Sequence, residues 1–181
     1  YSHSIIMSLN LPNIDNSWTL FLDRDGVINR KLENDYVKSV KEFEFLPQVL
    51  DAIKLFSNRF HKIVIVTNQQ GISKGLMTEK DLQTVHTHLI EEVKKKGGKI
   101  DATYYAPQLA EENSPMRKPN IGMALAARND FPKIDFKKSI MVGDSISDME
   151  FAQNANMFAV FIGQSDQYYS TDSLMSLARL I

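Results

Sequence analysis

The stretch Phe21-Leu22-Asp23-Arg24-Asp25-Gly26-Val27 sets two carboxylates either side of one residue, directly after the apolar run Trp18-Thr19-Leu20-Phe21-Leu22. Read as a buried strand, that run delivers Asp23 and Asp25 together to its carboxyl end, and Gly26 lets the backbone turn away. Open α/β sheets place their ligand crevices at that end. Asp-x-Asp-Gly is also a common turn, since Asp and Gly are turn formers. Three further pieces, met in chain order, outweigh the turn reading.

Outward from this stretch, short apolar runs alternate with amphipathic ones. Pro47 is expected to open a helix whose Val49, Ala52, Ile53 and Phe56 share one face. Lys62-Ile-Val-Ile-Val-Thr67 is β-branched and continuous, as in a strand buried on both faces. Thr78 is the expected N-cap of a helix with an apolar stripe at Leu82, Val85, Leu89 and Val93, which Gly97-Gly98 ends. Ala102–Tyr105 and Ser139–Val142 read as strands with a helix near Ile121–Asn129 between them. Asn156–Ile162 reads as the last strand, and a terminal helix starts near Asp172. This order predicts a doubly wound, mainly parallel α/β sheet. Residues 18–181 read as one domain and residues 1–17 as an N-terminal extension or linker. The long irregular pieces are Asn29–Leu46 and Pro107–Pro119, too short for a cap domain.

The bulk composition excludes several classes. The chain has 181 residues and a net charge of -1, from 21 Lys and Arg against 22 Asp and Glu. That balance gives no electrostatic case for nucleic acid or an anionic membrane as partner. No cysteine is present, so disulfides and thiolate zinc sites are excluded, and a cytoplasmic location is expected. No apolar run is long enough to span a membrane, and the start lacks the pattern of a signal peptide. Because position 1 is Tyr rather than Met, a fused or associated domain preceding the chain is an expectation.

Four pieces fall at expected strand ends or just before helices: Asp23/Asp25, Thr67-Asn68-Gln69, Arg117-Lys118-Pro119, and Gly143-Asp144-Ser145-Ile146-Ser147-Asp148. Each suits one part of phosphoryl transfer. A carboxylate can attack phosphorus, and a second one can protonate the leaving oxygen and then deprotonate water. A hydroxyl and an amide can donate to phosphoryl oxygens, and a lysine supplies positive charge where negative charge builds. A further aspartate helps to hold Mg²⁺, which prefers hard oxygen ligands.

The pattern resembles the haloacid dehalogenase superfamily of phosphohydrolases, over about Thr19 to Ile162. The resemblance implies a capless, Rossmannoid fold. It implies Asp23 as nucleophile and Mg²⁺ ligand, and Asp25 as general acid and base with its carbonyl on the metal. Thr67 and Lys118 would bind the phosphoryl group, Asp144 would be the third protein ligand, and Asp148 would stand behind them, supporting the metal or Lys118. Within the superfamily, Asp-Tyr-Val at 35–37, Gly-Ile-Ser-Lys-Gly at 71–75, Tyr-Tyr-Ala-Pro at 104–107 and Arg-Lys-Pro at 117–119 are similar to the D-glycero-D-manno-heptose 1,7-bisphosphate phosphatases of subfamily IIIA. Histidinol-phosphate phosphatases are the runner-up, and an inactive binding module is the alternative of another class. On the heptose side Arg117 and Asn68 become candidate substrate contacts.

One departure stands out. These families usually carry a zinc loop before Arg-Lys-Pro, and here its ligand positions are Ala106, Gln108, Ser114 and Met116. No zinc is expected, and the loop is expected to hold by packing and by Pro107, Pro115 and Pro119. Asp144 and Asp148 also suit the N-cap and first turn of a helix. Arg24 is either a structural ion pair or a substrate contact, and His86 and His88, two apart on a helix, read as non-catalytic.

Overall fold

The computed structural model describes residues 10–181. Its sheet has six strands, all paired in parallel, in the order β3-β2-β1-β4-β5-β6. They are β1 (Thr19–Leu22), β2 (Lys62–Asn68), β3 (Ala102–Ala106), β4 (Ser139–Gly143), β5 (Phe158–Ile162) and β6 (Tyr169–Thr171). From β1 the chain winds outward through β2 and β3, then returns to β4 and winds the other way. The order therefore reverses between β1 and β4, where a doubly wound sheet opens its crevice.

Strand parity sorts the core into two layers. Leu20, Leu22, Ile63, Ile65, Ile140 and Val142 face one side, against α1 (Val49–Ser57), α2 (Glu79–Lys95) and α5 (Leu174–Ala178). Phe21, Val64, Val66 and Met141 face the other, against α3 (Gly122–Asp130) and α4 (Ile146–Asn154). The buried face of α1 is the expected quartet Val49, Ala52, Ile53 and Phe56. In α2 the expected stripe is buried too, and His86 is buried with it. Thr78 caps α2 in a capping box with Asp81.

Two boundaries differ from the sequence reading. Asn156–Ile162 is not the last strand, because β6 pairs beyond β5 with Val160 opposite Tyr169. Three residues are too few to show an alternating pattern, so β6 leaves no periodic signal. The helix after Pro47 begins at Val49 and follows Gln48, which is left-handed at φ 62. The two irregular pieces each contain one short 3₁₀ turn, Val40–Glu42 and Ala110–Glu112. Of the expected extension, residues 1–9 lie outside the described residues, while Leu11 and Ile14 pack against the core. No helix among the described residues is long and apolar enough to cross a membrane.

Candidate active site

The end of β1 is extended by one more sheet bond, from the Asp23 N–H to the Val142 carbonyl at 3.0 Å. The chain then coils: the Arg24 carbonyl accepts the N–H groups of Val27, Ile28 and Asn29. Gly26 makes this possible at φ +89, and a Cβ there would overlap the Asp144 carboxylate. Gly143, at the end of β4, is equally constrained, since a Cβ would overlap the Asp148 side chain. These close approaches let β1 and β4 present their carboxylates side by side.

Lys118 is the centre of the constellation. It is buried, and its Nζ donates to Asp23 Oδ1 at 2.9 Å, Asp148 Oδ1 at 2.7 Å and the Val66 carbonyl at 2.8 Å. Burial works against the ammonium, but Asp23 and Asp148 outweigh it and hold Lys118 above its ordinary pKa. Its backbone is fixed as firmly. The Lys118 N–H donates to Asn68 Oδ1 at 3.0 Å, and Asn68 Nδ2 donates to the Lys118 carbonyl at 3.2 Å. Asn68 lines the cleft, but its amide is thereby committed to positioning Lys118.

Asp25 is held by three donors. Arg24 Nη2 and Asn29 Nδ2 donate to Oδ1 at 2.9 and 3.0 Å, and Gln69 Nε2 donates to Oδ2 at 2.9 Å. Burial would raise this carboxyl, but Arg24 and the amide donors prevail and hold it below the ordinary value. Gln69 also donates to Thr67 Oγ1 at 2.9 Å, so one amide ties the end of β2 to Asp25. Arg24 is fully buried, which makes it a structural ion pair rather than a substrate contact. Sequence reading assigned no role to Gln69 or Asn29. The Thr-Asn-Gln run was the available signal for the first, and none was available for the second.

Ser145, not Asp144, caps α4, in a capping box with Asp148. Asp148 Oδ2 accepts from the backbone N–H of Asp144 and Ser145 and from Ser145 Oγ, while Oδ1 takes Lys118. Carboxylate oxygens of Asp23, Asp144 and Asp148 lie within 4.8 Å of one another. Burial and the charge of Asp148 raise both Asp23 and Asp144, with Lys118 and Lys31 opposing only in part. A cluster of hard oxygens short of positive charge fits a divalent cation. Asp148 is saturated by its donors, so Asp23 and Asp144 are the side chains fitted to hold it.

A cleft of about 570 Å³ opens above this floor, and its walls carry Lys31, Lys74, Arg117 and Tyr36. Lys74 Nζ donates to the Tyr36 hydroxyl at 3.0 Å, joining the loop after Asn29 to the turn after β2. Arg117 Nη1 donates to the Gln108 carbonyl at 3.4 Å. The loop through Gln108 and Ser114 is held by more than prolines. Asn120 Nδ2 donates to Asn113 Oδ1 and the Ser114 carbonyl, and the Gly122 N–H donates to the Pro115 carbonyl.

The family model described as polynucleotide kinase 3 phosphatase matches residues 19–171. A D-glycero-alpha-D-manno-heptose-1,7-bisphosphate 7-phosphatase of Mycobacterium tuberculosis is 42% identical over 137 residues, 76% of this chain and 72% of the relative. The D-glycero-beta-D-manno-heptose-1,7-bisphosphate 7-phosphatase of Escherichia coli K12 is 36% identical over 145 residues, 76% of this chain and 74% of the relative. Among solved structures, the D,D-heptose 1,7-bisphosphate phosphatase of B. bronchiseptica, complexed with magnesium and phosphate, superposes with a TM-score of 0.82. It is 27% identical, over 90% of this chain and 97% of that one.

Removing Asp148 leaves the buried ammonium with one carboxylate. Breaking a buried pair this way costs about 3–5 kcal/mol. Asp148→Ala is therefore expected to lower the unfolding free energy by that order in urea denaturation. Unchanged stability would contradict the described role of the pair.

Proposed function

This chain belongs to the haloacid dehalogenase superfamily of phosphatases, and from that premise we propose that it removes the 7-phosphate of D-glycero-D-manno-heptose 1,7-bisphosphate through a phosphorylated Asp23. The observation that carries the reading is the Lys118 ammonium fixed against Asp23 on the floor of a cleft walled by Lys31, Lys74 and Arg117. One phosphate needs the floor and the second needs the cations of the wall. The relatives' names supply the substrate class.

In the first half-reaction a carboxylate oxygen of Asp23 attacks phosphorus, and the bond to the sugar oxygen breaks as that oxygen takes a proton from Asp25. The negative charge of the entering phosphate raises the Asp25 carboxyl from the low value set by Arg24 and the amide donors. In the second half-reaction a water gives its proton to Asp25 and attacks the same phosphorus, releasing phosphate and restoring the Asp23 carboxylate. Lys118 neutralises charge on the transferring group, and Thr67 donates to its oxygens. Mg²⁺ fits the Asp23 and Asp144 carboxylates together with the Asp25 backbone carbonyl, and when bound it supplies charge against the phosphoryl oxygens. Asp148 supports Lys118, and Arg117 contacts the second phosphate. Ala106, Gln108, Ser114 and Met116 offer no thiolate or imidazole, so the loop is read as zinc-free. Residues 18–181 act as one phosphatase unit.

Two measurements test this. Mg²⁺ is expected to raise the melting temperature, since a ligand at a hundredfold over its Kd stabilises by about 2.7 kcal/mol. Asp23 and Asp144 are raised, and protons compete for them, so the gain should be larger at pH 7 than at pH 5 and lost in Asp144→Asn. An equal gain at both pH values, or in the variant, would contradict the assignment. Phosphate release should favour the heptose bisphosphate over histidinol phosphate, with Asp23→Asn inactive. The reverse preference would place the chain with the runner-up substrate, and full activity in Asp23→Asn would refute the nucleophile.

A further inference from the structure

The buried face of α2 contains one residue that does not belong to an apolar stripe. His86 lies among Leu82, Val85, Leu89 and Val93, where a leucine would pack at less cost. Its Nε2 is 3.2 Å from Nη1 of Arg24, and Nη2 of the same guanidinium makes the 2.9 Å bond to Asp25 Oδ1. Arg24 is fully buried and lies 5.9 Å from the centre of the Phe43 ring. A guanidinium has donors only and keeps its proton. The facing Nε2 must therefore accept, and the imidazole is neutral with its proton on Nδ1. Burial first, and the Arg24 charge second, hold the His86 pKa down to about 3, which agrees with that tautomer.

This arrangement is poor economy for stability. It buries a charge that rests on one carboxylate and one imidazole, and Arg24 Nε and Asn29 Oδ1 are buried without a partner among the described residues. Such violations of local packing logic gather where function demands them. What the chain secures is direction. With Nη1 fixed on α2, Nη2 points at Asp25, and Asp25 is kept against Arg24 and Asn29 on one oxygen and Gln69 on the other.

We propose that His86 is a positioning residue for the second half-reaction: as a neutral acceptor it orients Arg24, which keeps Asp25 aimed as the base that activates water. The inference rests on the phosphatase reading and adds a residue that never meets substrate. Asp25 also serves as the acid of the first half-reaction, so the second step is singled out only with a leaving group that needs no acid; there, loss of the acceptor slows hydrolysis of the phosphorylated enzyme and not its formation.

An activated aryl phosphate isolates this effect, because its leaving group departs without an acid, so kcat/KM reports attack by Asp23 alone. In His86→Leu, kcat and KM are expected to fall together by about tenfold, less than the roughly 10²–10⁴-fold of general acid–base catalysis because Asp25 itself remains, leaving kcat/KM unchanged. Phosphorylated enzyme should accumulate during turnover. His86→Gln, whose amide oxygen restores an acceptor, should recover most of kcat. A fall in kcat/KM equal to that in kcat, or a His86→Gln variant as slow as His86→Leu, would overturn the inference. In the wild-type chain, ¹⁵N spectra of the ring should show a proton on Nδ1 and none on Nε2, and a protonated Nε2 would overturn it without any variant. A wild-type chain that hydrolyses no ester would overturn the proposed function, and this inference with it.

Discussion

The Lys118 ammonium is the constraint around which the site is organised. A buried cation must be met by charge and by hydrogen-bond acceptors, and here the partners come from the ends of two strands and from a helix. Asp23 stands 95 positions away in sequence and Asp148 stands 30 positions away. The Val66 carbonyl joins them because it lies in β2, beside β1. The parallel order that sets β1 between β2 and β4 is thus what brings the three acceptors to one nitrogen. A pair of this kind adds little net stability over a packed apolar core, because desolvation cancels most of the attraction. Its value is geometric, as it fixes where a phosphoryl group can sit.

The same centre is unbalanced in charge. Asp23, Asp144 and Asp148 cluster where Lys118 and Lys31 offset them only in part, and burial, followed by the charge of Asp148, raises the first two. Asp148 escapes because the capping box of α4 and Lys118 supply its donors, which hold it below the ordinary value against the pull of burial. One residue thereby closes a helix and anchors a lysine. Asp23, which shares Lys118, and Asp144 are left to a cation, so the local fold separates an anchoring aspartate from two ligating ones.

The architecture was legible where local pattern carries the information. The continuous β-branched run of β2 and the buried quartet of α1 follow from period alone, and Asp-Arg-Asp-Gly after an apolar run marks the end of β1. The adjacency of the four chemical pieces was legible as well, since each lies at a strand end or before a helix. What local pattern does not carry is pairing across the fold. Asn68 reads as a free amide until Lys118, 50 positions on, is seen to occupy it. Arg24 and His86 are 62 positions apart, and neither reveals the other. The capping of α4 is a different case. Ser145-Ile-Ser-Asp148 is a capping-box pattern, and giving the cap to Asp144 overlooked a local signal.

The central claim is that Asp23 carries the phosphoryl group between two steps, the second of which needs Asp25. The direct measurement is peptide mass analysis of Asp25→Asn after incubation with Mg²⁺ and an activated aryl phosphate. The account predicts one phosphoryl group, on the peptide containing Asp23, persisting because its hydrolysis lacks a base. A chain that stays unmodified while it releases phosphate, or a phosphoryl group on any other residue, would contradict it.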